Sequence, residues 1–203
     1  LMITRTPRTS RQLMRHLMTA QLFITLNDIV LGVLLGAIPL FPIRAGFCDG
    51  LLCRLGLSGH VGLTLLFLTV GYLSASILFC FHAKHESIVK LASYRPFPSI
   101  VFRFFVLPVV TLPGLLFAFA YVGIEDGRSY VEQEYPSYVW IFTTNRSLIF
   151  YSFSDHMSLV IAIALAANGA MAVVVVSGLF FVGHTFHLLS RHVCDRSKMK
   201  ESE

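Results

Sequence analysis

Four long apolar runs, separated by polar or basic stretches, give the chain its pattern. The first covers residues 17–42, LMTAQLFITLNDIVLGVLLGAIPLFP. At about 1.5 Å per residue it is long enough to cross a ~30 Å hydrocarbon core. The others fall at 57–81, 100–122 and 157–189. Within the first run Gln21, Thr25, Asp28, Gly32 and Gly36 recur at helical spacing and form a small, polar stripe. Asp28 lies near mid-run, where an ionisable group costs roughly 2.5–3.5 kcal/mol on insertion scales. It is therefore expected to face other helices as a buried polar anchor or switch, with Asn27 beside it. Gly32 and Gly36 make a G-x-x-x-G pair suited to close helix approach.

The second run carries a similar stripe of His60, Thr64, Phe67, Gly71 and Ser74. The third contains Pro108 and Pro113, which neighbouring helices accommodate in a membrane bundle, and Arg103, placed to snorkel to the headgroups. In the fourth, Ala162, Ala166, Gly169 and Ala170 supply a small-residue surface with Asn168 as its amide. The predicted fold is all-α: a polytopic bundle of four transmembrane helices forming one membrane domain over 1–203.

Charge orients this bundle. Residues 1–16 hold Arg5, Arg8, Arg11 and Arg15 and no acid; 82–99 and 190–203 are also rich in Lys and Arg. The positive-inside rule places these three segments, and both termini, in the cytoplasm. The loop at 123–156 holds Glu125, Asp126, Glu132, Glu134 and Asp155 against Arg128 and Arg146, which suits the outer face. Asn145-Arg146-Ser147 is a glycosylation acceptor usable on that face. In this loop YVWIFTT and SLIFYSF are too short to span and read as segments resting at the bundle mouth.

Composition agrees with lipid burial. The 203 residues are 55% hydrophobic and 13% charged, against about 25% charged in a soluble domain. The net charge of +5 does not point to nucleic acid, because the cations gather at helix ends and eighteen phenylalanines accompany a single tryptophan. Cys48, Cys53, Cys80 and Cys194 are too scattered for a disulfide framework; Cys48 and Cys53 either pair in a short outer loop or remain free thiols. The chain starts at leucine and shows no signal peptide, which reads as an internal start or an incomplete gene model.

Catalytic chemistry finds little support. His82 and His85 form H-x-x-H at one basic helix end, and His184, His187 and His192 lie at another. Membrane di-iron enzymes use such clusters, but here nearby carboxylates are limited to Glu86, so the histidines read as interface residues. No metal, cofactor or catalytic residue is assigned. No G-x-S-x-G, Walker, H-E-x-x-H or Rossmann pattern occurs, and the chain is not read as an enzyme.

The run TPRTSRQLMRHLMTAQLFITLNDIVLGVLLGAIPLFPIRAGFCDGLL resembles the first cytoplasmic loop, second helix and first outer loop of nematode seven-transmembrane chemoreceptors. The likeness is to serpentine receptor class H of the Str superfamily. It rests on Thr6-Pro7, Asp28, the Pro39 to Pro42 end, Ala45-Gly46 and Gly50-Leu51-Leu52, and continues more loosely through the other spans. The resemblance implies helices two to five of a chemosensory G-protein-coupled receptor in the plasma membrane of a sensory neuron, from a truncated copy or incomplete gene model. It also implies an odorant or pheromone-like small-molecule ligand and a heterotrimeric G protein as partners. Spacing offers His60, Thr64, Phe67, Ser158 and Ala162 as pocket residues, with Trp140 and Phe142 above them. Lys84, His85, Arg191 and Arg196 are the candidates for G-protein contact. The competing expectations are a four-helix structural or adaptor membrane protein and a histidine-cluster membrane oxidase.

Overall fold

A computed structural model describes residues 8–40, 43, 45–91, 98–120, 124–144, 147–150 and 157–201. Helix α1 spans Arg8–Asp28 and continues without a break as a π-helical stretch, Ile29–Leu35. Strands β1 (Ala37–Leu40) and β2 (Ala45–Cys48) follow, then a single helical turn, α2 (Leu51–Arg54). Helices α3 (Gly59–Leu91) and α4 (Ser99–Ala118) come next. The long loop supplies α5 (Ile124–Glu134), a 3-10 segment (Pro136–Thr143) and β3 (Ser147–Phe150), and α6 (Met157–Glu201) completes the described chain. Among the described residues, four helices are long and apolar enough to cross a membrane: Arg11–Leu35, Gly59–Lys90, Ser99–Ala118 and Ser158–Arg191.

α3 is the central helix, packed against α1, α4 and α6. Ala75 and Leu78 of α3, Phe102, Val106 and Val110 of α4 and Phe181 of α6 form one buried cluster. The stripe at Gly71 explains how α3 and α4 come so close. A Cβ on Gly71 would collide with the Val110 carbonyl oxygen, so the backbones touch where a side chain is missing. Gly114 receives Leu68 in the same interface. Large apolar side chains on the outer faces, such as Phe104 and Phe105 of α4, are exposed, as lipid-facing residues should be.

The first run departs from expectation in three ways. The helix ends at Leu35, not at the Pro39–Pro42 pair: Gly36 adopts φ +50°, a left-handed cap that turns the chain into β1. Gly32 has nothing near its Cβ position, so the G-x-x-x-G pair does not seat a neighbouring helix. Asp28 is exposed, while Asn27 is half-buried and accepts a 2.7 Å hydrogen bond from Thr69 of α3. An apolar helix can turn any face to lipid, so the polar stripe alone did not fix its rotation.

Over the end of the bundle opposite the basic helix ends sits an unexpected antiparallel sheet in the order β1-β2-β3. Ala37 pairs with Cys48 and Leu40 with Ala45; β2 then pairs with β3, Cys48 opposite Ser147 and Ala45 opposite Phe150. Cys48 and Cys53 are joined in a disulfide, settling the two open alternatives, and Cys80 is free. Asn145 lies outside the described residues.

Replacing Gly71 with leucine should lower bundle stability by about 1–3 kcal/mol, the usual cost of overpacking. Gly178→Ala, at a position with open space around it, should be neutral or slightly stabilising. Thermal unfolding of both variants in detergent micelles checks the contrast.

Candidate functional site

At the sheet-capped end the connection after α1 is held by backbone. The Leu35 carbonyl accepts a 3.0 Å bond from the Gly50 amide, and the Gly36 carbonyl accepts one of 3.3 Å from Asp49. Gly50 lies so close to the Leu34 carbonyl that no Cβ would fit. The disulfide closes the turn that carries Asp49 and Gly50, with 6.0 Å between its Cα atoms. Leu35, Cys48 and Ile149 are buried together, with Leu63 and Leu66 of α3 against them. Beside them opens a hollow of about 450 Å³ between the π-helical stretch, the β1–β2 hairpin and α3. Its walls are apolar, with Leu31, Ile38, Leu40, Leu63 and Leu66 among them. That volume lies within the ~300–1,000 Å³ range of small-molecule sites.

The residues expected to form one pocket occupy three separate places. His60 is buried on α3 and donates Nε2–H to the Ala118 carbonyl at 3.2 Å, while its ring stacks on Phe117 of α4 at 5.0 Å. Phe67 meets the same Phe117 ring at 4.7 Å, and Thr64 bonds back to the His60 carbonyl at 2.9 Å. His60 and Phe67 thus both contact α4 through Phe117. Ser158 and Ala162 on α6 are exposed. Trp140 stands over Phe47 of the sheet at 6.5 Å and is 52% exposed. Phe142 packs into the cap around Ile43, Phe47, Val131 and Ile141, with the Arg128 guanidinium 6.0 Å from its ring. The hollow was not foreseen, because the short strands β1 and β2 give no local periodicity and Ile149 joins its wall from the distant β3.

The opposite end, basic in sequence, is better assembled. His85 Nε2 and His184 Nδ1 lie 2.7 Å apart and share one proton between α3 and α6. His82 stacks on Phe102 at 4.7 Å and meets Phe181 edge-on at 5.3 Å. A groove of about 750 Å³ between α3, α4 and α6 has apolar walls that include Val89, Phe180 and Leu188, with His85, Ser177, His184, His187 and Arg191 as its polar groups. Of the expected G-protein residues, His85 and Arg191 share this groove, and Lys84 is exposed on α3 nearby in sequence. The Arg196 side chain lies outside the described residues. Among the described residues no group of three or more His, Cys, Asp or Glu is placed to hold a metal ion.

One family model, described as serpentine type 7TM GPCR chemoreceptor Sri, matches residues 2–200. The class it names is Sri, where the motif likeness pointed to class H. No curated protein and no solved structure matches the chain.

The inter-helix role assigned to Asp28 transfers to its neighbour, with a measurable consequence. Asn27→Ala should lower bundle stability by about 0.5–1.5 kcal/mol through loss of the Thr69 bond. Asp28→Asn should change it by only a few tenths, as expected at a position exposed among the described helices. Unfolding midpoints of the two variants in the same micelle compare them directly.

Proposed function

The chain belongs to the Sri family of serpentine 7TM GPCR chemoreceptors, and we propose that it detects an apolar, odorant- or pheromone-like small molecule at its outer end and signals to a heterotrimeric G protein at its basic end. The family match over residues 2–200 carries this reading. With four apolar helices, the chain is a multi-pass membrane protein of a receptor family, not an enzyme. The histidine-cluster oxidase therefore has no support, and the adaptor reading loses its basis.

The spans are assigned to helices two to five of the seven. Basic ends in the cytoplasm, an acidic loop outside and a sensory-neuron plasma membrane complete the reading. The ligand seat is the hollow beside Leu31, Leu63 and Leu66, in place of the His60 set, which is occupied by helix packing. Walls of this kind favour a compact hydrophobic ligand over a charged one. The G-protein contact is assigned to the groove shared by His85, His184 and Arg191. Its apolar walls and basic rim fit an amphipathic segment with acidic residues.

In reporter cells expressing the intact receptor, Leu66→Trp should fill the hollow and weaken the response to an active compound from an odorant panel by about tenfold or more. Surface expression should not change. An unaltered concentration–response curve would remove the hollow as the ligand seat. Orientation is tested separately: enzymatic deglycosylation should shift the wild-type band, and Asn145→Gln should abolish the shift.

A further inference from the structure

A second basic groove lies at the same membrane face, on the other side of the bundle. It measures about 680 Å³, runs between α1 and α4, and is lined by Arg11, Gln12, Arg15, His16, Thr19 and Arg103. No acidic residue is among these. Arg103 is held in place before any ligand arrives. Its Nη2 donates to His16 Nε2 at 3.2 Å, and its guanidinium carbon lies 5.6 Å from the Phe79 ring centroid of α3. His16 meets the same ring at 6.0 Å. Accepting from Arg103 requires a lone pair on Nε2, so His16 acts here as a neutral support rather than a competing cation. The acid that acts electrostatically on His16, Glu86, is ion-paired with Lys90 at 2.7 Å. Arg15 is exposed at the groove rim.

Two arginines from different helices, Arg15 exposed and Arg103 held by a histidine and a phenylalanine, line one groove and offer guanidinium donors to phosphate oxygens. A snorkelling arginine alone would need neither the histidine prop nor the second helix. The groove also lies at the basic ends of the α1 and α4 spans, where anionic headgroups are attracted to Arg and Lys.

We infer that the groove between α1 and α4 binds a phosphorylated inositol headgroup, presented by an anionic lipid of the adjacent leaflet. The headgroup phosphates accept hydrogen bonds from Arg103 and Arg15, with Gln12 and Thr19 within the same groove for the ring hydroxyls. The inner-leaflet assignment rests on the orientation proposed above. The headgroup chemistry does not, and binding to detergent-solubilised protein reads it without reference to sidedness.

The full chain, purified in detergent, would be titrated with short-chain phosphatylinositol bisphosphate, short-chain phosphatidylserine and soluble inositol trisphosphate by thermophoresis. The bisphosphate lipid should bind more tightly than phosphatidylserine, by roughly fivefold for each arginine engaged. Arg15→Gln and Arg103→Gln should each weaken it by about fivefold. Arg191→Gln, in the other basic groove, should leave binding within about twofold. Arg15 is exposed on a helix surface, so its variant tests the site even if Arg103→Gln disturbs the α1–α3–α4 junction. Equal binding of phosphatidylserine, or equal loss in Arg191→Gln, would reduce the groove to a general positive surface and overturn the inference. Tight binding of inositol trisphosphate with loss in Arg15→Gln would uphold the headgroup site and assign its ligand to the soluble pool.

Discussion

The touching backbones of α3 and α4 set the geometry on which the other contacts depend. Lipid tails are as apolar as leucine side chains, so helices in a bilayer associate through close packing and a few polar contacts rather than by escaping water. Gly71 lets the Val110 carbonyl approach, and Gly114 receives Leu68. From that spacing follow the stacking of His60 and Phe67 on Phe117 above and of His82 on Phe102 below. α6 then closes on the pair through Phe181 and the His85–His184 bond. Widening the α3–α4 interface by one side chain would disturb ring contacts at both ends of the bundle.

The two ends use different means to become specific. The sheet-capped end is built from backbone: a left-handed glycine cap, a short antiparallel sheet and a disulfide that fixes the turn between them. Main-chain groups there are satisfied by strand pairing, which leaves the hollow lined with hydrocarbon. The basic end is built from side chains, chiefly histidines whose rings pack like aromatics while their nitrogens bond across helices. The bundle thus carries an apolar hollow at one end and two grooves with basic groups at the other.

Span number and bundle class were legible because hydropathy over some twenty residues reports membrane crossing directly. The Gly71 stripe was legible too, since a small residue among large ones on a helix face marks close approach. The rotation of α1 was not. Its circumference is apolar nearly all round, and one aspartate among leucines does not say which side meets another helix, so Asn27 took the contact expected of Asp28. The sheet was hidden for another reason. Its strands are four residues long and β3 comes from the far loop, so no local periodicity signals the pairing. The expected pocket failed on the same ground: His60 has a helical neighbour, Trp140 has a strand, and Ser158 faces outward. Spacing along a helix names a face but not what stands opposite.

The length of α6 has a mechanical consequence. Its 45 residues extend about 67 Å at 1.5 Å each, more than twice the thickness of the hydrocarbon layer. It behaves as a lever pivoting at the membrane. For a pivot near its midpoint, a tilt of about 10° sweeps its tip through roughly 6 Å, although the helix moves little where it crosses the His85–His184 bond. A displacement too small to notice inside the bilayer is thereby enlarged at the basic end of the helix.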